Sequence, residues 1–145
     1  MKRRRCGGAA AIEAGLVMLA TTSLLANLVY CGRLALNGAA LDRAASNAAR
    51  YLATVPVEVL HDSVPRSAAL SAAQGIIDET LAAANVDVQE LQVNFFCDPS
   101  PCATLPPGST PTKAGVEVVV QFHDELFGTN FPLQLSAFVE VGRDR

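Results

Sequence analysis

The chain has 145 residues, half of them apolar, with few aromatics, no Trp and a formal net charge of −3. That length allows one small domain and falls short of two. Lys2, Arg3, Arg4 and Arg5 supply four of the eleven basic residues, so the chain after Gly8 carries seven bases against fourteen acids. A basic balance confined to the extreme N-terminus excludes a nucleic-acid-binding surface along the body of the chain.

The N-terminal stretch reads as a membrane element. From Ala14 to Tyr30 there is no charged residue, and Thr21, Thr22, Ser23 and Asn27 are its main polar members. A helix of that length rises about 26 Å, and one counted from Ala9 to Cys31 rises about 35 Å. These values bracket a bilayer core of about 30 Å. A secretory signal peptide shares the basic start, but this apolar run is long for an h-region and no small-x-small cleavage site ends it. The expectation is a retained single-pass helix over 9–31, with the basic cluster holding the N-terminus in the cytoplasm and everything after about Arg33 outside.

The apolar run continues without proline into RLALNGAALDRAASNAARYLATV. Gly38, Leu41, Ala45, Ala48, Leu52 and Val55 recur at helical spacing, while Asp42, Arg43, Asn47 and Arg50 fall largely off that face. One helix is therefore predicted from about Ala9 to about Ala53, its soluble continuation covering 32–55. The small-residue seam suits either packing of the C-terminal domain or packing between subunits, or each along different turns.

Pro56 and Pro65 bracket what reads as a short connection, VEVLHDSV, before a second helix from about Ser67 to Ala84. Its buried side is expected at Leu70, Ala73, Ile77, Leu81 and Ala84, with Gln74, Asp78 and Glu79 towards water. The last third then changes to a period of two. Leu91, Val93, Phe95 and Cys97 form one set; Val116, Val118, Val120 and Phe122 a second; Leu133, Leu135, Ala137, Val139 and Val141 a third. These are half-buried antiparallel strands separated by Pro- and Gly-rich loops. The predicted fold is α+β: a long helix, a second short helix and a small sheet of about three strands, with 56–145 as the extracytoplasmic domain.

Cys97 and Cys102 frame CDPSPC, a loop short enough to bring two Cα atoms within disulfide range. Outside the cytoplasm such a pair oxidises, and a structural disulfide is the expectation. A metal site needs further ligands, and His61 and His123 stand at no ligand-like spacing to the cysteines. A redox dithiol is more usually a CxxC at a helix start. Cys6 and Cys31 flank the apolar helix and cannot meet within one chain. His123, Asp124 and Glu125 read as turn chemistry, and there is no nucleophile elbow, phosphate loop or HExxH. No catalytic residue, metal or cofactor is expected.

Glu13 stands apart as a carboxylate at the start of a membrane-length apolar run. Near the membrane edge it can reach the headgroups, below the roughly 3 kcal/mol that a charge costs at mid-membrane. Cleavage after Gly8 offers a second role. It would place the α-ammonium of Ala9 just over one helical turn from Glu13, and the same ammonium on a neighbouring subunit would be a natural partner in low dielectric.

A basic leader ending in Gly, a Glu at the fifth position after it and an apolar helix resemble type IV prepilins. The stretch GAAAIEAGLVMLATTSLLANLVYCGRLALNGAALDRAASNAARYLAT, with its Arg50-Tyr51 ending, resembles the TadE-like pseudopilins of the tight-adherence system that builds Flp pili. A Cys pair near a strand and a V-x-V-x-V strand extend the resemblance over most of the chain. Ala9 stands where major pilins commonly have Phe or Met, and Gly15 where TadE-like chains often carry an apolar residue.

The resemblance implies a minor pilin: cut by a prepilin peptidase between Gly8 and Ala9, with residues 1–8 as leader and Glu13 as the assembly carboxylate. It implies the bacterial inner membrane, a periplasmic C-terminal domain, and other TadE-, TadF- or TadG-like pilins and the pilus assembly platform as partners. The alternative is an unprocessed single-pass membrane protein whose outer domain binds an envelope partner or ligand.

Overall fold

The computed structural model describes residues 7–86, 90–98, 100–106, 109–124 and 129–142, with the side chains of 7–9, 61, 122–124 and 129–133 excepted. Helix α1 runs Gly7–Thr54, α2 Val57–His61 and α3 Ser63–Ala83. Strands β1 (Glu90–Cys97), β2 (Ser100–Pro101), β3 (Lys113–Asp124) and β4 (Thr129–Gly142) form one antiparallel sheet in the order β2-β1-β3-β4. The class is α+β, as the periodicities predict. The expected Lys2–Arg5 leader cluster, Cys6 and Glu125 lie outside the described residues. Contacts divide the chain into two units, Met1–Leu36 and Asn37–Arg145. The division falls within α1, so residues 37–54 belong to the second unit.

In the first unit α1 is continuous through Gly15 and Gly32, at each of which an added Cβ would meet nothing within 4 Å. Its apolar side chains from Ile12 to Val29 are exposed. Three polar side chains among them are tied to the helix itself. Thr21 Oγ1 donates to Val17 O (2.9 Å), Thr22 Oγ1 to Met18 O (2.8 Å) and Asn27 Nδ2 to Ser23 O (2.9 Å). A helix that satisfies its own polar groups suits hydrocarbon surroundings. By length and composition it is able to cross a membrane, its best 18-residue window reaching a mean hydropathy of 1.7.

In the second unit the same helix is amphipathic. Ala40, Leu41, Ala44, Ala45, Ala48, Ala49 and Leu52 are buried, whereas Asp42, Arg43, Asn47 and Arg50 are exposed. The buried seam shares one core with Ala73, Ile77 and Leu81 of α3 and with Ala114, Val116, Val118 and Val120 of β3. Of the two uses that the seam's pattern allows, packing of this chain's own domain is the one seen along 40–52. Gly38 is only half-buried.

The bracketed connection turns out to be helical. Pro56 precedes α2, and α3 begins at Ser63, earlier than expected, with Pro65 inside its first turn. The N–H that proline lacks has no intrahelical partner in a first turn, so Pro65 does not end a helix there. At the other end, Asn85 adopts φ 51°. Asn85 N–H then donates to Ala82 O (3.0 Å) and Val86 N–H to Leu81 O (3.1 Å). This is a Schellman stop, with buried Val86 set against Leu81. It leaves Ala84 exposed at the cap, contrary to its predicted burial, while Ala69 joins the buried side in its place.

The inner face of the sheet follows the predicted alternation: Leu91, Val93 and Phe95 of β1, Val116, Val118 and Val120 of β3, and Leu135, Ala137, Val139 and Val141 of β4 all contribute to the core, while the side chains of Phe122 and Leu133 lie outside the described set. On the outer face Phe96 and Phe138 meet edge-on, with centroids 6.1 Å apart. Gly115 is opposite Phe96 in register while Phe138 is opposite Glu117, and a Cβ at position 115 would sit 3.4 Å from the Phe138 ring. The fourth strand, β2, has only two residues. It forms because the chain folds back at Asp98, which has φ 56°, bringing Ser100 opposite Cys97. No periodicity signals so short a strand.

Cys97 and Cys102 are joined in a disulfide with Cα atoms 4.8 Å apart, both buried in a second core with Val55, Leu60 and Ala69. Two outcomes test this packing. In urea unfolding of the full chain, Ala48→Leu is expected to lower stability by about 1–3 kcal/mol through overpacking, and Arg43→Ala by no more than about 0.5 kcal/mol. Equal effects would contradict the burial pattern. Thiol alkylation of unreduced protein is expected to leave Cys97 and Cys102 unlabelled, and their reduction to lower stability by about 2 kcal/mol for so short a loop.

Candidate functional site

The residues of the expected processing and assembly site lie at the start of α1. Gly8 and Ala9 are helical in backbone, and Glu13 follows Ala9 by four positions. That spacing puts positions 9 and 13 on one helix face, a turn apart. Glu13 is exposed, as are Ile12, Leu16 and Val17 beside it. Between Glu13 and Arg33 the helix carries no other charge. The arrangement is a solitary carboxylate on a bare apolar cylinder, with its own chain's residue 9 one turn towards the N-terminus. Among the described residues no group of His, Cys, Asp and Glu is clustered as metal ligands.

Cys31 is a free, exposed thiol. The side chains of His61, His123 and Asp124 lie outside the described set.

The disulfide loop is organised by a residue that the sequence reading passed over. Asp98 Oδ1 accepts from the Thr112 hydroxyl (2.9 Å) and from the N–H of Lys113 (3.1 Å), and both carboxylate oxygens lie 3.1 Å from Thr112 N. Its own N–H donates to Lys113 O (3.0 Å). Asp98 thus clamps the end of β1 to the start of β3, and the signal for it was a short polar residue following a strand cysteine in a tight turn. Arg66 does similar work on the other side, with Nη1 3.5 Å from Leu60 O and 3.3 Å from Leu105 O. Lys113 Nζ lies 2.7 Å from Glu140 Oε1, and this hydrogen bond, with the carboxylate's charge, raises the Lys113 pKa. Both partners are exposed, so the pair adds little to stability.

A groove of about 530 Å³ runs beside α3, lined by Ser67, Leu70, Ser71, Gly75, Asp78 and Phe95. A smaller one of about 220 Å³ adjoins it, sharing Leu70 and Phe95 and adding Val93 and Pro101. Gly75 sits in the middle of α3, where an added Cβ would meet nothing within 4 Å. Glycine there is about 1 kcal/mol less favourable than alanine, and no packing within the fold requires it.

No protein family, curated protein or solved structure matches this chain.

Proposed function

We propose that the chain is a minor pseudopilin of a tight-adherence (Flp) type IV pilus, held in the bacterial inner membrane with its N-terminus in the cytoplasm and its α+β domain in the periplasm. It acts by packing with other subunits and not by catalysis. A prepilin peptidase removes residues 1–8. Other TadE-, TadF- or TadG-like pilins and the assembly platform are its partners in pilus biogenesis, adherence or secretion.

One observation carries this reading. The exposed apolar half of α1 bears a single carboxylate, Glu13, one turn from position 9. A free subunit in lipid must let Glu13 reach towards the headgroups or hold it at a cost of up to about 3 kcal/mol. Once Ala9 is the first residue, its ammonium on a neighbouring subunit offsets that cost. The pairing also fixes the axial register between helices, which nonspecific apolar contact in lipid leaves loose. The rest of the exposed surface, from Ile12 to Val29, then packs against lipid or against neighbouring helices.

The test is the mass and N-terminal sequence of protein extracted from membranes that contain the peptidase. The expected chain begins at Ala9. Retention of residues 1–8 would instead support an unprocessed membrane protein. In the same cells Glu13→Gln is expected to insert into the membrane normally and to abolish or strongly reduce pilus assembly. Normal piliation in that variant would reduce Glu13 to a headgroup-seeking side chain.

A further inference from the structure

We infer that the groove between α3 and the outer edge of β1 is a docking site for an extended segment of another protein, which adds to the sheet as a strand beside β1. This does not depend on cleavage after Gly8.

The backbone supplies the first reason. Asp98 gives its N–H to Lys113 O on β3. Polar groups of a strand alternate sides, so residues 90, 92, 94 and 96 also face β3. Those of Leu91, Val93 and Phe95 therefore point to the opposite edge. There β2 pairs only with Phe96 and Cys97, and among the described residues no other strand is paired with that edge. An open edge of this kind is a template for one more strand.

The side chains supply the second. The groove meets this open edge at Phe95, and the smaller groove beside it takes in Val93; Leu70 and Phe95 are apolar lining and Ser67, Ser71 and Gly75 a low wall on α3. Those three positions are four apart and so lie on one helix face. Gly75 makes sense here: any larger side chain at that position would project into space that an added strand would occupy.

Charge selects the occupant. Among the described residues of the lining Asp78 is the one ionisable group, and none of them is a base. The segment that fits is extended, alternates apolar side chains against Leu70 and Phe95, and carries a Lys or Arg towards Asp78. A second copy's β4 fits poorly, because the only charged residue between Gln134 and Gly142 is Glu140, already engaged by Lys113.

Random peptides displayed on phage, selected on the full chain in detergent with the Gly75→Trp chain as competitor, test the inference. Gly75→Trp has room for its Cβ, and Ser71→Tyr is a second, independent plug; unchanged helix content verifies that each is folded. Enriched peptides are expected to alternate apolar residues and to carry a base. They should bind both plugged chains at least about tenfold more weakly, and Asp78→Lys should remove the preference for a base. On binding, hydrogen exchange should slow at the amides of Leu91, Val93 and Phe95 and stay unchanged at Gln92 and Asn94. Failure to enrich any peptide over the plugged competitor, or binding that ignores both plugs, would overturn the site. Concentration-dependent protection of the same three amides without peptide would overturn the choice of occupant in favour of a second copy.

Discussion

The second unit depends on one shared core between the sheet and a helix whose buried side is mostly alanine. Ala44, Ala45, Ala48 and Ala49 are fully buried in one core with Val116, Val118 and Val120. Alanine loses no side-chain entropy on burial and keeps the helix propensity of the segment high. Valine suits the pleated surface opposite it. The large residues of the cluster, Leu41, Leu52, Ile77 and Leu81, flank the alanine seam. The same chemistry explains why the core carries no buried polar side chain among the described residues. Nothing in it calls for a buried charge, and the polar groups that matter, those of Asp98 and Arg66, act at the rim by holding backbone.

Helix α1 meets two different environments along one length. Up to Leu36 most of its apolar side chains are exposed, and Thr21, Thr22 and Asn27 bond back to its own carbonyls. From Asn37 onward it shows one buried face and one charged face. Glu13 belongs to the first stretch and is the only charge in it before Arg33. That solitude is what gives the proposed trans pairing its leverage: a single uncompensated charge in lipid has few ways to be satisfied.

Long-range periodicity made most of this legible in advance. The extent of α1 and the exposure of Asp42, Arg43, Asn47 and Arg50 were readable because many residues repeat the same pattern. So were the inward faces of β1, β3 and β4. Features set by one or two residues were not. Pro65 suggested a break, because proline's effect depends on whether it falls in a first turn or an interior one. Ala84 was assigned to the buried face because Asn85 carries no mark of a left-handed backbone beyond being asparagine. The strand Ser100–Pro101 depends on a fold-back at Asp98 that no hydropathy pattern contains. The groove beside β1 arises between elements distant in sequence, and no pattern along the chain marks it. Cys97 and Cys102 were the easier case, since four intervening residues leave the pair little freedom to separate.

The central claim is that Glu13 finds a neighbouring subunit's α-ammonium in the membrane. Zero-length carbodiimide cross-linking of intact membranes, followed by peptide mapping, tests it most directly. The account predicts an amide joining the Glu13 carboxyl to the N-terminal amine of a processed pilin-type subunit, lost in Glu13→Gln. Glu13 peptides recovered without any such bond, under conditions where other subunit contacts in the same membranes are captured, would contradict it.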